Sequence, residues 1–123
     1  MGIFGTLLGL TGNSVKKGDN DIFVKVEKGY VVVFNKNGNR ITSFRHSSGD
    51  ALFADYSPDN DRILVTTCKG NVVVCERMGG YRYNFSTTMK IVLARWSGDD
   101  VFVQLEDGSC QLHSQSGSFK KRL

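Results

Sequence analysis

Apolar and polar positions alternate along most of the chain in runs of about five or six residues, cut by glycine-bearing turns. Three turns of the form X-Gly recur, Lys28-Gly29, Lys69-Gly70 and Asp107-Gly108, separated by 41 and 38 residues. Before them lie Ile22 to Val26, Ile63 to Thr67 and Val101 to Leu105. After them lie Tyr30 to Phe34, Asn71 to Cys75 and Ser109 to His113. A two-residue connection containing glycine between two such runs predicts a β-hairpin, because tight hairpin turns need positive φ.

The correspondence continues beyond each hairpin. Nine residues after each turn glycine stands another, Gly38, Gly79 and Gly117. Each opens a further strand: Arg40 to Phe44, Tyr81 to Phe85 and Ser118 to Leu123. In two of the copies a strand also precedes the hairpin, Ala51 to Tyr56 and Ile91 to Trp96, 40 residues apart. The chain therefore reads as all-β, with three repeated units at about 22–49, 50–89 and 90–123, each expected to be a four-stranded antiparallel sheet. In the first unit the leading strand falls near Leu8 to Val15, within an apolar, Gly-rich stretch (residues 1–21) where alternation is weak. Alternation along the third strand puts Val31 and Val33, Val72 and Val74, and Cys110 and Leu112 on one equivalent face. Val32 and Val73 make the opposite face apolar as well. Strands apolar on both faces are buried between layers, which radial stacking of sheets provides.

The second unit resembles a WD repeat. Ala54-Asp55-Tyr56-Ser57-Pro58-Asp59, then Arg62-Ile63-Leu64-Val65, then Lys69-Gly70-Asn71-Val72-Val73-Val74 is similar to that family's succession of strand, turn, strand, turn and strand. The third unit follows more loosely from Ala94-Arg95-Trp96-Ser97-Gly98-Asp99 through Asp107-Gly108. Where the family has its Trp-Asp pair, this chain has Phe34-Asn35, Cys75-Glu76 and His113-Ser114, and the Gly-His pair is missing. The resemblance implies a degenerate WD-like β-propeller without the family's Asp-His-Ser-Trp tetrad. Propellers close with about four to eight blades, so three blades leave two apolar flanks. Two copies joined head to tail would complete a six-bladed ring, and a homodimer is the favoured assembly over packing against another protein or peptide, or over the chain's being a piece of a longer one.

Composition narrows the function classes. The net charge of +4 is spread along the chain apart from Lys16-Lys17 and Lys120-Lys121-Arg122, without the basic, aromatic-interleaved stripe of a nucleic-acid groove. Cys68, Cys75 and Cys110 have neither disulfide-framework nor zinc spacing. They read as buried free thiols of a reducing, cytoplasmic compartment. The apolar start, Met1 to Leu10, is too short to span a bilayer and lacks secretory-signal features. Gly2 with Thr6 fits the loose N-myristoylation pattern, while Ile3, Phe4, Leu7, Leu8 and Leu10 suit an apolar edge of the fold, so membrane contact is not expected.

No residue set predicts catalysis, a metal or a cofactor. His113 aligns with Phe34 and Cys75 as a packing position, and a Cys110–His113 pair lacks an orienting third group or oxyanion donors. Asp55, Asp59, Asp61, Asp99 and Asp100 read as solvated loop acids between the first two strands of a unit. Asp59 and Asp61 lack the ligand ring that calcium needs. Tyr56 and Trp96 hold equivalent, core-like positions. Tyr81 and Tyr83, on an outer strand, are the candidates for an exposed contact surface. Two functions fit: a non-catalytic protein-interaction scaffold, or a lectin-like ring with repeated ligand sites. The unequal loops Ser57 to Arg62 and Ser97 to Asp100 favour the first.

Overall fold

The computed structural model describes residues 22–123, which form eleven strands in three antiparallel sheets. The first sheet contains β1 (Ile22–Glu27), β2 (Tyr30–Asn35) and β3 (Arg40–Phe44). The second contains β4 (Ala51–Ser57), β5 (Arg62–Thr67), β6 (Val72–Glu76) and β7 (Tyr81–Phe85). The third contains β8 (Ile91–Ser97), β9 (Asp100–Leu105), β10 (Cys110–His113) and β11 (Phe119–Arg122). Each sheet is an up-and-down meander in chain order, with four strands in the second and third and three described in the first. The strand expected near Leu8 to Val15 and the Gly2 acylation motif lie outside the described residues.

The turn glycines work as the spacing predicts, but the loops differ in length. Only Lys28-Gly29 is a two-residue connection, with Glu27 opposite Tyr30 and both turn residues at positive φ, 53° and 85°. That is the type I′ geometry. In the second and third units the connection has three residues. Thr67 N–H donates to the Asn71 carbonyl while Gly70 N–H returns to Thr67, and Leu105, Ser109 and Gly108 repeat the arrangement. Lys69 and Asp107 therefore stay at negative φ, and only the glycine turns left-handed. The extra residue moves β5 and β9 one position relative to β1, so Val24, opposite Val33, is the counterpart of Leu64, opposite Val74.

The predicted face assignments hold at both joints between sheets. Val31 and Val33 of β2 meet Ile63, Val65, Val73 and Cys75 of the second sheet in one core. Leu64, Val72 and Val74 meet Ile91, Val101 and Val103 of the third sheet in the other. β5 and β6 are the described strands with four or more successive buried residues, Ile63 to Thr67 and the wholly apolar run Val72 to Cys75, because their sheet has a neighbour on both sides. Burying each such side chain contributes about 1.5–3 kcal/mol.

The two joints repeat the same contacts. Ala51 N–H donates to the Gly29 carbonyl at 2.9 Å, and Ile91 N–H to the Gly70 carbonyl at 3.0 Å. A Cβ on Gly79 would lie 2.9 Å from the Phe44 ring, and one on Gly117 would lie 2.6 Å from Phe85, so each third-to-fourth strand turn seats an aromatic side chain of the preceding sheet. β4 and β8 carry a bulge at the same place, between Ala51 and Phe53 and between Ile91 and Leu93.

The cysteines are all free, but they are not uniformly buried as their spacing suggested. Cys68 is exposed on a turn, Cys110 is half-buried on the outer face of the third sheet, and only Cys75 lies in a core. Among the described residues no helix is long and apolar enough to cross a membrane.

Candidate interaction surface

The two tyrosines proposed for an exposed surface separate. Both project from β7, two residues apart, with Tyr81 at 60% exposure. Tyr83 is opposite Val74 and packs half-buried against the second core, so it belongs to the joint more than to the surface. Tyr81 has company from the first sheet: its ring stands edge-on to His46, with centroids 6.3 Å apart, and His46 in turn meets Phe44 at 5.4 Å. Met78, in the turn before β7, is also largely exposed. His46 Nε2 is buried and has no hydrogen-bond partner among the described residues. Burial without a compensating acceptor holds its pKa below the ordinary imidazole value.

A cleft of about 520 Å³ opens beside this cluster, lined by Arg45, His46, Asp50, Cys68 and Lys69. Arg45 closes one wall by pairing with Asp50 at 2.9 Å and lying over the Tyr30 ring. The guanidinium is thereby satisfied within the protein.

The sequence placed two of the loop acids wrongly: Asp100 opens β9 and pairs with Lys120 at 2.9 Å, and the more consequential is Asp55. It sits in β4, not in a loop, and its Oδ2 accepts the Trp96 backbone N–H at 2.9 Å across the joint. The Trp96 indole N–H donates to the Asp55 carbonyl at the same distance. Thr66, fully buried, adds a third bond by accepting Ala94 N–H through its hydroxyl at 3.0 Å. No strand pattern distinguishes an aspartate that faces a neighbouring sheet from one that faces water. Burial lifts the Asp55 pKa above its ordinary value, with the Trp96 N–H opposing the shift. The folded chain therefore holds this proton more tightly than the unfolded chain. Its contribution to stability falls as pH rises from the ordinary value of 3.8 through the raised one, then stays level. Asp55→Asn keeps the carbonyl acceptor and loses the titration. Urea unfolding between about pH 3 and 7 should show the variant gaining on the parent through that window, and a pH-independent difference would contradict the assignment.

The remaining candidates are structural. His113 is 4% exposed and stacks on Phe85 with ring centroids 5.2 Å apart, while its nitrogens meet the Gly117 carbonyl and the Gln111 side chain. It faces away from Cys110, whose thiol contacts the Gly108 carbonyl, so no Cys-His pair forms. Cys75 is pushed up to about 12 by burial and the neighbouring Glu76 charge, which keeps it a thiol at neutral pH. Asp61 accepts from the Tyr56 hydroxyl and pairs with Arg77. Tyr56 and Trp96 pack half-buried against the two cores, as their equivalent positions predicted.

No protein-family model matches the sequence, and no curated protein matches it. Solved structures do match. The WD40 repeats of RRP9 superpose with a TM-score of 0.69 at 11% identity, over 84% of this chain and 35% of theirs. Sqt1 of Saccharomyces cerevisiae gives 0.67 at 14% identity, over 86% and 32%. BamB of Moraxella catarrhalis gives 0.66 at 14% identity, over 83% and 32%. The fold is that of WD-like propeller blades, and the chain spans about a third of the length of the propellers it matches.

Proposed function

We propose that this chain, as three WD-like propeller blades, is a non-catalytic protein-interaction scaffold that completes its architecture by self-association. The observation that carries this reading is where the large exposed apolar side chains lie. Phe23 stands 55% exposed on the outer flank of the first blade, Leu123 is 59% exposed beside the last strand of the third, Tyr81 and Met78 are exposed on the rim between, and Leu52 and Phe53 add an exposed pair on β4. Apolar area at the ends of a stack invites another protein surface, and a large, rigid ring such as Tyr81 anchors contacts at low entropic cost. The WD40 repeats among the matching structures support a scaffold role. A reducing compartment such as the cytoplasm suits three unpaired thiols.

Light scattering on the 123-residue chain at micromolar concentration should give twice the chain's mass. A clean monomer throughout would remove self-association. The lectin-like alternative is addressed by thermal-shift measurements against a panel of sugars, where no rise in Tm is expected. A saturable rise would replace the scaffold reading with ligand binding.

A further inference from the structure

We infer that the outer face of the third blade is the docking face for the first blade of a second copy of this chain, with Leu123 seated on the Gly38 turn. This rests on the self-association reading and specifies how it occurs.

The argument comes from the contact that both internal joints repeat. At each, the last side chain of one blade's outer strand lies against the glycine of the next blade's third-to-fourth strand turn: Phe44 on Gly79, and Phe85 on Gly117. Phe44 and Phe85 stand opposite Val31 and Val72, two residues past the first turn glycine. The third blade holds Leu123 in that register, its N–H donating to the Cys110 carbonyl at 3.0 Å. Leu123 nevertheless stands 59% exposed.

The complementary half of the contact is found on the first blade. Gly38 has the same left-handed φ (87°) and the same turn hydrogen bonds as Gly79 and Gly117. Yet a Cβ built on it would meet none of the described residues within 4 Å. The inner turn repeats the pattern: Gly29 and Gly70 lie hard against Asp50 and Lys90 of the next blade, whereas Gly108 meets none of the described residues within 4 Å. The third blade thus ends in one half of the repeated joint and the first blade begins with the other. Around Leu123 the docking face carries Phe102, Cys110 and Leu112 in the positions of Leu64, Val72 and Val74. The receiving face carries Phe23 and Phe34 in the positions of Ile63 and Cys75, with Val32, in the position of Val73, buried at its centre, so docking has to reach this face at the Phe23 and Gly38 edge. Such a contact is heterologous, and two copies close it as a ring with a twofold axis.

The two faces are alike in charge, which gives the joint a signature. Lys25 stands over the Phe34 ring on one, and Arg95 over the Phe102 ring on the other. Salt should therefore tighten the association, since about 1 M salt screens charges that about 0.1 M leaves interacting.

The test is sedimentation of the full chain and two variants at a position that touches neither core. Leu123→Glu should weaken dimerisation by about tenfold or more, and Leu123→Phe, which restores the side chain of the other two joints, should strengthen it. Both should unfold at the parent's urea midpoint when dilute. In a Cys68→Ser, Cys110→Ser background, Leu123→Cys with Asn37→Cys should form a two-chain disulfide under mild oxidation, and Leu123→Cys with Pro58→Cys should not. A parent dimer indifferent to both Leu123 changes and uncrosslinked at 37–123 would overturn this joint while leaving self-association intact. A parent that is monomeric at every concentration would overturn both.

Discussion

Gly117→Ala is expected to destabilise the chain substantially more than Gly38→Ala, although the two glycines hold equivalent turns. Both have left-handed backbones, with φ of 100° and 87°. An alanine at either position should therefore cost about 1–2 kcal/mol in backbone strain alone. The difference is what surrounds them. A methyl at 117 would lie 2.6 Å from Phe85 Cβ and 2.8 Å from its Cγ, atoms held close to the backbone in the joint, whereas one at 38 would meet none of the described residues within 4 Å. Overpacking of that kind costs a further 1–3 kcal/mol, roughly, and urea midpoints of the dilute chain measure the gap. Equal losses would mean that the ring of Phe85 can move aside, and that the turn-to-ring contact does not define the joint.

The second large effect concerns the cores. Leu64 and Ile63 are adjacent on β5, both fully buried, but they face different neighbours: Leu64 the third blade, Ile63 the first. Truncating either to alanine should cost about 2–5 kcal/mol by lost burial and cavity formation. Repeats that touch only their neighbours have stabilities that sum locally, so the two losses should be felt in different places. Amide exchange should accelerate most in β8 and β9 for Leu64→Ala, and in β1 and β2 for Ile63→Ala. Uniform acceleration across all three sheets in both variants would show instead that the blades unfold as one cooperative unit.

Much of this architecture could be read from the sequence because its turns depend on glycine. The nine-residue interval from Gly29 to Gly38, repeated at Gly70 and Gly108, marks positions where the backbone turns left-handed, and all six glycines do so. Strand positions followed within a residue or two, since they fill the space between fixed turns. Loop length was less legible: Lys28-Gly29 and Lys69-Gly70 look alike, and only the backbone hydrogen bonds reveal that one closes over two residues and the other over three. Contacts across the joints were least legible. Asp55 resembles its loop neighbours Asp59 and Asp61 in composition, and its role depends on Trp96, 41 residues away. Tyr83 and Tyr81 share a strand and a residue type, yet one leans on Val74 and the other on solvent. The correspondence of Leu123 with Phe44 and Phe85 is legible as spacing, each six residues past Gly117, Gly38 and Gly79, and the bulge near His113 recurs at the same place in all three sheets; what the spacing does not show is which glycine each side chain meets.

The second sheet has a described sheet packed on each face, with Val72 and Val74 on one side and Val73 and Cys75 on the other. An open row of three units contains two contacts and two boundaries, whereas a closed circle has as many contacts as units and no boundary at all. For three units the boundary is a large fraction of the whole, so their cohesion is unusually sensitive to whatever meets the two outer faces.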